Sequence, residues 1–247
     1  MLQNHVTFIT GAGAGIGEAT AQFFASQGAR VALLDRDAEG VAKNAALIAE
    51  KGGEAIALTG DMRDRGSLAT AVDAAIAKFG RIDSLINNAG IYPRKPFLEI
   101  TEEEWDTMQD INLKGVYRMT QLVVPHMIAQ GGGKVVNISS VTFFVAPPLL
   151  SHYVASKGGV IGLSRVLAKE LGPQNVHVNC ITPGAIQTES EKHFVSKEQE
   201  QEFLNNQSLK RRLQPLDIAR VCAFLAGPWS DGMTGQTLNV DAGWALY

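Results

Sequence analysis

The stretch VTFITGAGAGIG, residues 6–17, sets a strand-like run, Val6 to Thr10, directly against a glycine-rich turn. A helix pattern follows at once, with Ala19, Phe23 and Phe24 on one apolar face and Gly28 as its stop. Glycines between a strand and a helix let the backbone turn sharply and approach a pyrophosphate. The free N–H groups and dipole of the helix start attract such a group. The same residues also fit a glycine-rich turn that holds nothing, so the reading depends on its surroundings. The next apolar strand, Val31 to Leu34, ends in Asp35, 18 residues past Gly17. An acid about 20 residues beyond such glycines is where a dinucleotide-binding turn receives the adenosine ribose hydroxyls. A carboxylate there accepts from both hydroxyls and repels a 2′-phosphate, so Asp35 favours NAD over NADP. Arg36 beside it pulls the other way, because a guanidinium tolerates a phosphate.

Outward from this stretch, strand and helix patterns alternate. A helix over about 37–50 leads to a strand at 54–58 and then Gly60-Asp61-Met62. A helix over about 67–79 closes at Gly80, and a strand at 82–86 ends in Asn87-Asn88-Ala89-Gly90. Repeated alternation with short connections means a parallel sheet wound by right-handed crossovers, with ligands at the carboxyl ends of the strands. Thr101-Glu102-Glu103-Glu104 is a capping signal for one long helix, or two joined, reaching about Ala129. Asn112 lies on its apolar face, and Pro125 is expected to kink or interrupt it. A strand follows at 134–138, then a helix at about 151–171, a strand at 176–181, a helix at 215–225 and a last strand at 236–240. Between them, residues 189–214 are rich in charges and amides, which fits either a surface helix pair or a lid over a pocket. No repeat or linker interrupts the chain, so residues 1–247 read as one domain.

Composition bounds the possibilities. An apolar fraction of 45% with 25 glycines fits a buried core with many tight strand-to-helix turns. A net charge of −3, with no basic cluster longer than Lys210-Arg211-Arg212, argues against nucleic acid or an anionic membrane surface as partner. No apolar run approaches the roughly 18 residues of a membrane span, and the N-terminus lacks the pattern of a signal peptide. The expected location is therefore cytoplasmic. Cys180 and Cys222 sit in apolar contexts and read as buried free thiols, and no histidine pair has metal-ligand spacing, so no metal is expected.

Chemistry concentrates in SSVTFFVAPPLLSHYVASK, residues 139–157. Tyr153 and Lys157 are four residues apart and share a helix face. A phenol, an ammonium and a serine hydroxyl beside apolar surface can move a proton on an alcohol or ketone, although Tyr/Lys pairs at this spacing also occur on ordinary solvated helices. Other motifs decide between these. TGAGAGIG at 10–17, Gly60-Asp61, NNAG at 87–90, Asn112, Ser140, YVASK at 153–157 and PGAIQT at 183–188 occur in the order seen in the short-chain dehydrogenase/reductase family. The chain resembles that family over essentially its whole length.

The resemblance implies an α/β fold, a single-domain, Rossmann-type doubly wound parallel sheet of about seven strands in the order 3-2-1-4-5-6-7, with helices on both faces. It implies an oxidoreductase that moves a hydride between NAD(H) and a secondary alcohol or ketone. Tyr153 would be the general acid–base. A phenol of ordinary pKa near 10 is a poor base at neutral pH, so Lys157 and the positive nicotinamide would favour its phenolate, with Lys157 also holding the nicotinamide ribose. Ser140 rather than Ser139 would bind the substrate oxygen, because alternate strand residues face opposite ways. Asn112 would hold a proton-relay water. Gly11, Gly15 and Gly17 would form the phosphate turn, with Ile16 near the phosphates and nicotinamide ribose. Asp61 and Met62 would meet the adenine, Asn88 and Gly90 would line the cofactor site, and the Pro183-Gly184 segment with Ile186 and Thr188 would hold the carboxamide. Ala14 stands where phosphate-preferring members often carry a basic residue, which again favours NAD.

For the substrate, the resemblance points to Ile91 and Tyr92, to Thr142, Phe143, Phe144 and Leu149, and to the lid, with His152 and His193 as polar contacts. These walls are aromatic and aliphatic with no arginine clamp, which suits a hydrophobic, aromatic or cyclic alcohol. The rival readings are an NADPH-dependent 3-oxoacyl thioester reductase, a polyol or sugar dehydrogenase using lid amides, and a dinucleotide-sensing protein without turnover. The first wants a basic docking surface, for which only Arg94, Lys95 and Lys210 to Arg212 are available. The last is opposed by the intact Ser140, Tyr153 and Lys157. Family resemblance also implies a homotetramer built through the helices at about 102–129 and 151–171.

Overall fold

Strand β1 (Val6–Thr10) is buried at every position, as a central strand covered on both faces must be. In a computed structural model that describes residues 2–189, 191 and 195–246, β1 pairs in parallel with β2 (Arg30–Asp35) on one side and β4 (Ser84–Asn87) on the other. The sheet is extended by β3 (Glu54–Thr59) beyond β2, and by β5 (Gly133–Ile138), β6 (Val176–Pro183) and β7 (Thr237–Val240) beyond β4. Among the described residues this is one sheet of seven strands, all parallel, in the order β3-β2-β1-β4-β5-β6-β7. The expected fold class and strand order are both found.

Helices α1 (Gly15–Ser26), α2 (Ala38–Glu50) and α3 (Arg65–Phe79) cross over between the early strands. Next come α4 (Glu102–Gln109), α5 (Gly115–Ala129), the single turn α6 (Thr142–Val145), α7 (Ser151–Leu171), α8 (Lys197–Asn206) and α9 (Pro215–Ala226). The period-two alternation of each strand divides its side chains between two cores. Ile9, Leu33, Ile86, Val136 and Ile181 point to one face, with Phe24 of α1, Ile48 of α2 and Ile218 of α9. Phe8, Leu34, Leu85, Val135 and Val178 point to the other, with Leu68 of α3 and Met119 and Val123 of α5. No helix is long and apolar enough to cross a membrane among the described residues.

Helix starts fall where a side chain can cap them. Asp37 accepts from the Gly40 N–H ahead of α2, and Asp64 accepts from the Gly66 N–H ahead of α3, so α3 begins two residues before the sequence pattern suggests. Thr101 and Glu104 form the expected capping box of α4. The expected break at Pro125 is absent, for Pro125 lies inside α5. The backbone carbonyl that its missing N–H leaves over belongs to Gln121, and both residues are on the exposed face, open to solvent. The irregularity lies elsewhere: Asp110–Lys114, between α4 and α5, is a π-helical turn, and it contains Asn112. In the 189–214 segment α8 is the one regular α-helix among the described residues.

The turn after β1 is packed to contact. A Cβ at Gly17 would overlap the Gly11 carbonyl, and one at Gly11, whose φ is +66°, would lie 2.8 Å from the Ala89 Cα. Gly17→Ala is therefore expected to destabilise the protein by about 1–3 kcal/mol through overpacking. That corresponds to a melting temperature lower by roughly 2–10 °C for a chain of this size. Thermal unfolding followed by circular dichroism checks this, with Gly162→Ala, where a Cβ meets nothing within 4 Å, as the control.

Candidate active site

The strand order reverses between β1 and β4, and a cleft of about 980 Å³ opens there, at the carboxyl ends of the strands. Thr10 and Asn88 tie its floor together. The Thr10 hydroxyl accepts from the backbone N–H groups of Asn88 and Ala89, at 3.0 and 3.1 Å. The Asn88 amide donates to the carbonyls of Thr10 and Gly11, both at 3.1 Å. In this structure Asn88 thus shapes the glycine turn itself. The turn is also held by Asp35, whose carboxylate accepts from the Gly13 N–H at 3.0 Å and the Asp37 N–H at 3.1 Å. Asp35, Asp61 and Met62 all line the cleft, as does Arg36. Asp61 is paired with Arg63, which holds its carboxyl below the usual range. Ala14, at the start of α1, makes no side-chain cap, which leaves the first-turn N–H groups of α1 uncapped by any side chain. Ile16 packs against the core beneath.

Opposite the glycine turn, the segment after β6 closes the site. The Pro183 carbonyl accepts from the Val141 N–H, and the Gly184 N–H donates to Val240. Ile186 bridges to Leu213, and the Thr188 methyl reaches within 3.3 Å of where a Cβ on Gly15 would be.

At the inner end stand Ser140, Tyr153 and Lys157. Ser140 follows β5, and its hydroxyl accepts from the Thr142 hydroxyl at 2.9 Å and acts on the Tyr153 phenol to favour its ionised form. Ser139 points the other way and donates to the Lys157 carbonyl at 2.8 Å, as strand alternation requires. The Lys157 ammonium is buried, donates to the Ile138 carbonyl at 2.8 Å and lies 5.7 Å from the centre of the Tyr153 ring. Burial pushes the phenol up to about 12, with the Ser140 hydrogen bond opposing it. Burial also pulls Lys157 down to about 8. Burial dominates the Tyr153 shift, and the group that opposes it is Ser140, so the lowering expected from Lys157 does not appear here. A Cβ on Gly90 would lie 3.2 Å from the Asn112 Oδ1 and 3.5 Å from the Lys157 Nζ, so Gly90 brings the cleft up to both. Asn112 itself accepts from the Ile91 N–H at 2.9 Å and donates to the Ile91 carbonyl at 2.8 Å and the Ser156 hydroxyl at 3.2 Å.

The expected substrate residues divide. Tyr92 lines the cleft, and its ring meets that of Tyr153 edge-on with centres 6.4 Å apart. Thr142 orients Ser140. Phe143 covers Gly158 on α7, and Leu149 is exposed, with its carbonyl accepting from the Lys95 N–H. Phe144 packs partly buried against Val116, Val160 and Ile161, an apolar cluster. His152 is buried, at 1% exposure. His193 lies outside the described residues. The cleft takes Arg94 after β4 and, from the segment expected to reach the pocket, Glu191, Val195, Gln199 and Phe203. Arg212 ties that segment together, bonding both Glu191 oxygens at 2.7 Å, reaching Glu200 at 3.3 Å and lying over the Phe203 ring. No sequence spacing signals that role, because its partners are 21 and 12 residues away.

Comparison with known proteins agrees with this geometry. Residues 11–245 match the family model described as enoyl-(acyl carrier protein) reductase. The chain is 39% identical to a probable galactose dehydrogenase, GalD, of Rhizobium meliloti, covering 98% of this chain and 95% of the relative. It is 38% identical to the 3-oxoacyl-[acyl-carrier-protein] reductase FabG of Thermotoga maritima, covering 98% of each. Among solved structures, a 7α-hydroxysteroid dehydrogenase complexed with NADH and 7-oxo glycochenodeoxycholic acid superposes with a TM-score of 0.95 at 36% identity, covering 98% of this chain and 94% of that one. A 3-ketoacyl-(acyl-carrier-protein) reductase from Brucella melitensis complexed with NADH superposes with a TM-score of 0.93 at 34% identity over the full length of both. The chain belongs to the short-chain dehydrogenase/reductase family and is an oxidoreductase of that family.

Proposed function

We propose that the protein transfers a hydride between NAD(H) and a secondary alcohol or its ketone, with a hydrophobic, aromatic or cyclic body. The observation that carries this reading is the closeness of Tyr153 to Tyr92 and of Lys157 to Gly90, two residues on the wall of a cleft that Asp35 also lines. The cleft fits a dinucleotide. A helix start without a side-chain cap offers backbone N–H groups to a pyrophosphate. Gly11 and Gly17 leave no side chain in its way, and Asp35 offers a carboxylate to ribose hydroxyls. Bound there, the nicotinamide supplies or accepts the hydride.

The chain's own groups do the rest. Ser140 donates to the substrate oxygen and holds it against the Tyr153 phenol, which takes the alcohol proton in oxidation and returns it in reduction. Lys157, fixed by the Ile138 carbonyl, brings positive charge to the phenolate and holds ribose hydroxyls. Asn112, anchored on Ile91 and Ser156, holds the water that carries the proton outward. Asp35, together with Ala14 in place of a basic residue, favours NAD, and two similar proteins are described in complex with NADH. Arg36 on the same wall is the counter-influence. A polyol or sugar alcohol is the second reading, favoured by Glu191 and Gln199 on the lid side of the cleft and by the similarity to a probable galactose dehydrogenase. We expect a homotetramer through α4–α5 and α7, on which Tyr117 and Val166 are exposed apolar residues.

Three outcomes follow. Tyr153→Phe is expected to lower kcat by on the order of 10²–10⁴ with an unchanged circular dichroism spectrum, the usual worth of a positioned acid–base. Full turnover in that variant would remove the mechanism. Initial rates with NAD and NADP should favour NAD, and Asp35→Ser should erode that preference by about tenfold or more, the worth of one charge-assisted contact. A native preference for NADP would overturn the cofactor assignment. For the pH dependence, oxidation needs Tyr153 deprotonated and burial holds its proton on, up to about 12, so kcat/KM for the alcohol should climb from pH 6 to 9. Reduction needs the proton present and should stay flat over that range. Lys157→Met should move the alcohol limb to still higher pH, which pH-rate profiles in both directions would register.

A further inference from the structure

We infer that Arg94 recognises a carboxylate on the substrate, which makes the substrate a hydroxy or oxo acid with an apolar body. This rests on the redox reading above. The segment carrying Arg94 is pinned at both ends. Ile91 exchanges two backbone hydrogen bonds with the Asn112 amide, at 2.9 and 2.8 Å, and the Lys95 N–H donates to the Leu149 carbonyl at 2.9 Å. Within that span Tyr92 contacts the Tyr153 ring, and Arg94 lines the same cleft.

Charge accounting singles out Arg94. Lys95 beside it is committed to both Glu104 oxygens at 2.7 Å. The Glu191 carboxylate across the cleft is neutralised by Arg212. Arg94 is exposed to the cleft and has no hydrogen-bond or ion-pair partner among the described residues. The remaining surface on this side is apolar at Ile91, Pro93, Ile111, Val195 and Phe203, with Gln199 as its uncharged polar residue. Arg36, the other cation on the cleft, stands at the far end beside Asp35. The substrate end therefore presents one uncompensated guanidinium over an apolar floor, and a guanidinium binds a carboxylate through two parallel N–H bonds. Arg94 and Tyr92 lie two residues apart on the same cleft wall, so a substrate that reaches Tyr92 meets the guanidinium along that wall.

The test compares 4-acetylbenzoate with its uncharged methyl ester in NADH-driven reduction, using the native protein and R94Q, R94K and R94A. Native protein should prefer the acid in kcat/KM by about tenfold or more, the worth of one charge-assisted contact. R94A and R94Q should bring the acid-to-ester ratio close to one, and R94K should retain part of it. The same ratio is read as Kd by calorimetric titration of NADH-loaded Tyr153→Phe protein, so failure of the redox reading leaves the carboxylate assignment measurable. Equal binding of acid and ester, binding of neither, or a preference that survives R94A overturns it. So does tighter binding of 4-acetylphenyl phosphate, which would make the group recognised a phosphate.

Discussion

Two parallel strands that diverge into opposite halves of the sheet must still be joined at their carboxyl ends, and here one hydroxyl and one amide do it. The Thr10 hydroxyl accepts two N–H groups from the end of β4, and the Asn88 amide answers with two bonds to the end of β1. Each of these backbone groups would otherwise be a polar atom at the bottom of an apolar crevice, at a cost of about 1–3 kcal/mol. The arrangement also sets how near Gly17 comes to Gly11, and so how α1 presents its first turn to the cleft. Asp35 adds the third side through Gly13. The crevice is wide at its mouth because β1 and β4 send their following segments apart, and narrow at its base because these bonds hold them together.

The inner end of the site rests on a second set of buried polar bonds. Lys157 and Ser139 exchange contacts with the backbones of β5 and α7, at Ile138 and at Lys157 itself. Asn112 joins the helix to the loop after β4. A buried ammonium with a single carbonyl partner is held at reduced basicity, about 8, by lost solvation. Tyr153 is held protonated by the same loss. Both pKa values are thereby shifted from their solution values by burial, that of Lys157 toward neutral pH and that of Tyr153 away from it.

Local information in the chain was enough for the frame. Apolar runs such as Val31 to Leu34 and Val135-Val136 are buried on both faces and read as strands without knowledge of their neighbours, and capping residues mark the starts of α2, α3 and α4. Ser140 over Ser139 followed from alternation alone. What escaped was decided by distant contacts. Phe143 and Phe144 are chemically equal in the sequence, and only the position of α7 and its Val160–Ile161 surface leaves Phe144 half-buried while Phe143 is exposed. His152 is adjacent to Tyr153 in sequence, and only the packing around α7 makes it buried. Arg94 and Lys95 look alike until Glu104 engages one of them. Pro125 misleads because the rule for proline concerns a buried helix interior, and its carbonyl partner here faces water.

The π-helical turn at Asp110–Lys114 has a consequence for how this stretch tolerates changes in length. Such a turn contains one residue more than an α-turn, and each residue rotates a helix by about 100°. The apolar stripe of α5 is therefore out of phase with that of α4 when both are drawn on one wheel. Met119 and Val123 reach the sheet, and Asn112 reaches Ile91, only because the extra residue absorbs the difference. Losing one residue between 110 and 114 would restore a regular helix and a consistent wheel, yet it would swing the amide away from the loop carrying Tyr92 and Arg94. The chain's most regular version of this helix would be its least competent one, and an aligned insertion or deletion here marks a change of chemistry more than a change of fold.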